Sequence, residues 1–301
     1  MIVGALGPLL SGFCGSPSAG VLLAGACTLV TMLVLTRSAH DLQLPRFVWI
    51  AQWIWFAVLA GSCAPIGASC WPDGDTFPVV PLVLLVLAAF AAKSGGENLA
   101  RCAAVLLWVV LAAVGVLLGI GAREWKWDLL TTDLVLPDAY LAVAVLLPCV
   151  SLFLSPGVSV GKGLPLLVFG IAVAIVLGLT GVLSVEGMRQ AANPFYTYAQ
   201  CVRMGGASWR MEPLASCVMT MGWFLFLAIL LTCAGNCAAR IQKDFGSVGV
   251  ICGVAVAAVW TLCKVNISPW WIVLGCTIFW VVVPLLAQIV PRAKKDEKKR
   301  K

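Results

Sequence analysis

The chain has 301 residues, 61% of them hydrophobic and only 11% charged, with a mean hydropathy of +1.02. A soluble domain is about 45–50% apolar and about 25% charged, so the composition excludes a water-soluble enzyme, a disordered chain and a nucleic-acid-binding domain. The formal net charge is +7, and much of it sits in the last residues, Lys294-Lys295-Asp296-Glu297-Lys298-Lys299-Arg300-Lys301. That tail reads as a positive-inside anchor in contact with anionic headgroups.

In chain order, Met1 to Cys14 is apolar but lacks the basic start of a signal peptide. It is shorter than the roughly 20 residues that a hydrocarbon crossing needs. The phrase Gly12-Phe13-Cys14-Gly15-Ser16-Pro17 closes it. It therefore reads as the outer half of a truncated first helix, whose other half is missing or lies upstream of Met1. Hydropathy and loop punctuation then predict nine full spans, at 18–36, 47–66, 77–93, 101–121, 138–155, 164–186, 213–236, 246–263 and 269–290. The expected fold is all-α and polytopic. Residues 1–290 form one transmembrane helical domain, and 291–301 form a basic cytoplasmic tail.

Alternating the loops backwards from an inside C-terminus places fourteen of the twenty Lys and Arg residues inside. The loop Trp71-Pro72-Asp73-Gly74-Asp75 carries no base and falls outside. Thirteen cysteines are scattered singly, without a Cys-x-x-Cys pair, and the one histidine is His40. A Cys/His metal site is therefore not expected, and the thiols read as small hydrophobes in lipid. Cys63 and Cys70 form a disulfide only if their loop faces an oxidising space. No nucleophile elbow, metalloprotease motif or phosphate loop is present. The chain is expected to be neither an enzyme nor a cofactor carrier.

Polar residues concentrate in three places. Lys93-Ser94-Gly95-Gly96-Glu97-Asn98-Leu99-Ala100-Arg101 joins two spans, and Glu97 and Arg101 pair across one turn if the segment is helical. It reads as a capped, charged turn or as a coupling or subunit contact. Asp138 opens a span that Pro148 should break. As an acid at a helix start, Asp138 is either a cap or a ligand group. Glu186 to Glu212 mixes aromatic, amide and basic groups, including Tyr196 and Tyr198, and fits an interfacial helix with rings at headgroup depth. It is either a plain interfacial helix or a cap on a ligand pathway.

Breaks at Gly12–Pro17 and at Pro148 fall five spans apart. Transporters use such discontinuous helices to expose backbone dipoles to a small polar ligand at mid-membrane, and the spacing suits a five-plus-five inverted repeat. Gly12, Gly15, Asp138, Leu141 and Pro148 are the candidate ligand residues. Asp138 and Glu186 are candidate proton carriers if the chain transports.

Two stretches resemble the B-subunit family of spore germinant receptors. In AAFAAKSGGENLARCAAVLL, the residues Ala92, Gly95 or Gly96, Glu97, Ala100 and Arg101 follow the family's A-x-x-G-x-E-x-x-A-R phrase at the fourth-to-fifth span junction. Asn193-Pro194, Arg203, Arg210-Met211-Glu212-Pro213-Leu214 and Trp223-Phe224 resemble the segment that opens the family's eighth span. The resemblance implies a ten-helix fold similar to amino acid–polyamine–organocation transporters. It also implies a germinant-sensing role in the inner spore membrane, with A-type and C-type receptor subunits as partners and a small nutrient such as an amino acid as ligand. Glu97, Arg101, Glu186, Asn193, Pro194, Arg203, Arg210 and Glu212 become structural or coupling residues under it. This chain departs from the pattern in its incomplete first helix. It also carries Leu141 where the family has an acid before the sixth-span proline. An ion-coupled transporter and a non-binding scaffold with a decayed pocket are the alternative readings.

Overall fold

A computed structural model describes residues 1–12, 16–37, 44–70, 79–129, 139–154, 163–191, 193–202, 211–265 and 267–287. Among these there is helix and turn, and no strand. The helices are α1 (Ile2–Ser11), α2 (Pro17–Arg37), α3 (Arg46–Ala68), α4 (Val79–Lys93), α5 (Gly96–Gly121), α6 (Ala139–Leu146) and α7 (Ser151–Leu154). They continue with α8 (Gly163–Gln190), α9 (Pro194–Cys201), α10 (Glu212–Ile241), α11 (Gly246–Leu262) and α12 (Pro269–Cys276). The last of these runs on as a π-helix over Thr277–Val282.

Among the described residues seven helices are long and apolar enough to cross a membrane, and outward faces carry large hydrophobic groups. Phe47, Phe90, Trp108 and Trp271 are all exposed. A water-soluble protein does not present so much apolar surface, so hydrocarbon is the solvent of these faces and the chain is an integral membrane protein. The two other expected spans are shorter or broken among the described residues. The span at 77–93 is α4, 15 residues long, which at 1.5 Å per residue falls short of a roughly 30 Å core. The span at 138–155 is α6 and α7, separated by the 3₁₀ turn Leu147–Val150. Pro148 lies within that turn, because it has no amide hydrogen to continue the helix.

The packing centres on α10, of which 72% of the apolar window is buried, against 17% for α5. α10 lies along α1, α3, α4 and α11. α1 and α10 meet at two glycines: a Cβ on Gly7 would stand 2.8 Å from the Gly222 carbonyl carbon, and one on Gly222 would stand 2.6 Å from the Gly7 nitrogen. Small residues let membrane helices approach backbone to backbone, where dispersion rather than hydrophobicity drives association. Elsewhere α2 packs on α8, and α3 packs on both α4 and α11.

Two interruptions differ from the sequence expectation. α8 passes the predicted end at residue 186, but its helical backbone breaks at Ser184, with φ 61° and ψ 164°. A non-glycine residue in that region costs on the order of 1–3 kcal/mol. The Ser184 hydroxyl offsets part of this by accepting from the Gly187 amide at 3.2 Å, which caps the segment 185–190. α9 occupies part of the expected interfacial segment, and its Phe195 and Tyr198 side chains turn inward and are fully buried. Their rings stack 6.1 Å apart.

Candidate functional site

The first helix ends where the sixth begins. α1 closes with the Gly12 amide donating to the Pro8 carbonyl at 3.1 Å, and Gly12 is extended at φ −78°, ψ 142°. A Cβ at Gly12 would lie 3.4 Å from Tyr140 Cβ and 3.6 Å from the Leu141 nitrogen. Gly12 and Leu141, named separately from the sequence, are thus in contact. Leu141 itself is buried among apolar neighbours.

Around this junction the described residues bring together a polar cluster. The Trp223 indole donates to the Ser11 hydroxyl at 2.7 Å. Ser216, two turns earlier on α10, donates to the Cys70 carbonyl at 2.8 Å, and the Tyr140 ring meets Trp223 edge-on at 6.4 Å. The Ser11 and Asn193 side chains both bear on the Cys70 thiol. Burial pushes that thiol up to about 12, and the two polar contacts offset part of the rise. Asn193 also accepts from the Tyr196 amide at 3.4 Å, so Asn193-Pro194 is the cap and first residue of α9.

Glu212 opens α10, and its helical spacing puts it on the face of Ser216 and Trp223. Its Oε2 is buried and has no hydrogen-bond partner among the described residues. An unpartnered buried carboxylate oxygen is costly. It lies one turn before Ser216 and about 16 Å of helix rise before Trp223, at the outer edge of the cluster.

The other sequence candidates lie elsewhere. Pro148 is buried in its 3₁₀ turn, where its carbonyl accepts from the Ser151 hydroxyl at 2.6 Å. The carbonyl of Val150 faces the Cys233 thiol at 3.8 Å. Side chains of the protein thus occupy these acceptors, as the absence of water in a membrane interior requires. Glu97 and Arg101 form the expected pair at 2.6 Å, fully on the surface of α5. Glu186 is exposed and accepts from Gln190 at 3.0 Å. Gly15, Asp138, Arg203, Arg210 and the tail 291–301 lie outside the described residues. Cys63 and Cys70 are both free thiols, and among the described residues no group of His, Cys, Asp and Glu has the makings of a metal site.

Sequence reasoning missed Ser11, Cys70, Tyr140 and Ser216 as members of the cluster. Trp223 entered only through the resemblance. The one signal available for Ser11 was its place immediately before the Gly12 break. No protein-family model matches the chain, and no curated protein is similar to it.

Proposed function

We propose that this chain is the permease-like membrane subunit of a spore germinant receptor, and that it senses a small zwitterionic nutrient such as an amino acid where the broken end of α1 meets the start of α6. The single observation that supports this most is the contact between Gly12 at the end of α1 and Leu141 at the start of α6, because a polar ligand at mid-membrane needs backbone dipoles that only a helix break supplies. Glu212 would take the ligand's ammonium group. The α6 N-terminus would face its carboxylate.

Four packing relations suit an inverted repeat of five plus five, whereas α1 with α10 has no counterpart of similar extent between α6 and α3. Let α1 to α5 exchange with α6, α8, α10, α11 and α12. The pair α3 with α4 becomes α10 with α11, α3 with α11 becomes α10 with α4, α1 with α8 becomes α6 with α2, and α1 with α5 becomes α6 with α12; all eight pairs are in contact. In this reading α4 and α6–α7 bring the full crossings to nine, α1 is half of a tenth, and the basic tail is cytoplasmic. A- and C-type subunits are the expected partners. Sensing is preferred over ion-coupled transport because Glu186, a candidate proton carrier, is exposed rather than set in the bundle.

The test is equilibrium binding of radiolabelled amino acids to the purified chain in nanodiscs. Binding of at least one amino acid, weakened tenfold or more by Glu212→Gln and by Trp223→Phe, is the expected result. No binding across all twenty overturns the ligand assignment. Uptake into proteoliposomes that collapses with an ionophore would make the chain a transporter instead.

A further inference from the structure

A separate hollow of about 890 Å³ lies at the opposite end of the bundle, beyond the α7 turn. Its walls are Leu225 and Ile229 of α10, Leu99 and Ala103 of α5, and Leu164 and Leu167 of α8. Three polar side chains reach it, Glu97, Ser151 and Asn236, and each is engaged within the protein. Ser151 donates to the Pro148 carbonyl at 2.6 Å. Asn236 donates to the Phe153 carbonyl at 3.2 Å and to that of Leu154. Glu97 accepts from Arg101 at 2.6 Å. What remains for an occupant is hydrocarbon wall, bounded at one side by Met1 and Gly4 of α1, where the Met1 amino group is the remaining polar group.

The rim decides the class of occupant. Ala100 and Leu167 on it are exposed, and Gly96 and Gly163 face open space. These residues sit in the first turns of α5 and α8, two helices long and apolar enough to span the bilayer, so lipid bathes the opening. Even a dry apolar cavity of roughly 150 Å³ takes up benzene or xenon. A far larger one in reach of acyl chains loses dispersion contacts along every wall if it stays empty. The geometry points to one acyl chain of a bilayer phospholipid as the resident, inserted between the first turns of α5 and α8 with its headgroup level with Lys93 and Arg101. This inference rests on membrane embedding alone and not on the sensing role.

Native mass spectrometry of the full chain, exchanged through detergent that strips bulk lipid, tests it. The expected result is one phospholipid retained per chain. Ala103→Trp, which fills the hollow, should lose it, and Ala104→Trp, on the exposed side of the same turn, should keep it. A wild-type chain with no retained phospholipid overturns the proposal whatever the variants do, and so does equal retention by Ala103→Trp. A photo-crosslinker at Leu164 should capture lipid; capture of polypeptide instead would also overturn it.

Discussion

The indole nitrogen of Trp223 donates to the Ser11 hydroxyl at 2.7 Å across 212 positions of chain. Trp223 is wholly buried and its ring also rests on Gly67, where an added Cβ would come within 3.0 Å of Trp223 Cβ. One side chain thus ties the end of α1 to α10 and to α3. Trp223→Phe keeps most of the packing and deletes the hydrogen bond. Ser11→Ala instead leaves a buried N–H without its partner. The second change should cost more, about 1–3 kcal/mol against about 1 kcal/mol. Unfolding in mixed detergent micelles measures both, and equal costs would mean that the bond contributes little.

Gly7 and Gly222 lie so close that neither tolerates a side chain without moving a helix. The atoms that an added Cβ would strike are backbone, at 2.6–2.8 Å. Gly222→Val should therefore destabilise by about 1–3 kcal/mol through overpacking and should displace α1 together with Gly12. Gly115→Val, where nothing lies within 4 Å, should leave stability within about 0.5 kcal/mol of wild type. If both variants melt alike, the backbone contact between α1 and α10 is not a determinant of the fold.

Much of this arrangement was legible in the sequence, for a physical reason. Long apolar runs must be helices in lipid, since no water satisfies the backbone, so α2, α3, α5, α8, α10, α11 and α12 begin and end near where hydropathy put them. Pro148 and the Gly12 phrase marked real interruptions, because the covalent chemistry of proline and glycine acts locally. Side-chain partners were not legible. A membrane helix is apolar on its lipid face and on its protein face alike, so periodicity cannot say that Trp223 seeks Ser11, or that Tyr198 turns inward. Ser184 carries no sequence signal of its positive φ.

Tyr198 reaches across the bundle and donates to the Leu117 carbonyl at 3.1 Å. Gly121 makes the room: a Cβ there would fall 1.8 Å from the phenol oxygen. The reverse clasp comes from Trp125, which follows α5 and sits on Gly181 of α8, where a Cβ would fall 1.2 Å from the indole nitrogen. Burial pushes the Tyr198 hydroxyl up to about 12. An unfolded chain ionises this group near pH 10. Stability from the neutral phenol is therefore complete below about pH 10 and is lost as pH rises from there to about 12. Tyr198→Phe should flatten the pH dependence in that window. A wild-type profile already flat between pH 10 and 12 would show that the phenol is solvated.

Gln52 and the π-helix of α12 supply the last case. The Gln52 amide nitrogen donates to the Phe279 carbonyl at 2.7 Å inside the π-turn, and Trp55 stacks on the Phe279 ring at 5.3 Å. A π-turn shifts the hydrogen-bond register and leaves a carbonyl over, which in hydrocarbon must find a donor from another helix. Gln52 is fully buried, and its own Oε1 has no partner among the described residues. Two effects therefore oppose each other in Gln52→Leu: it orphans the Phe279 carbonyl, and it also removes an orphan acceptor. The net cost should be modest, about 0.5–1 kcal/mol, but the structural effect should be local. With its donor gone, the π-turn should relax to α-helical register. Hydrogen exchange of amides 277–282, compared between wild type and variant in nanodiscs, reads that change. Unchanged protection across the six amides would mean that the π-turn is held by its ring contacts and not by Gln52.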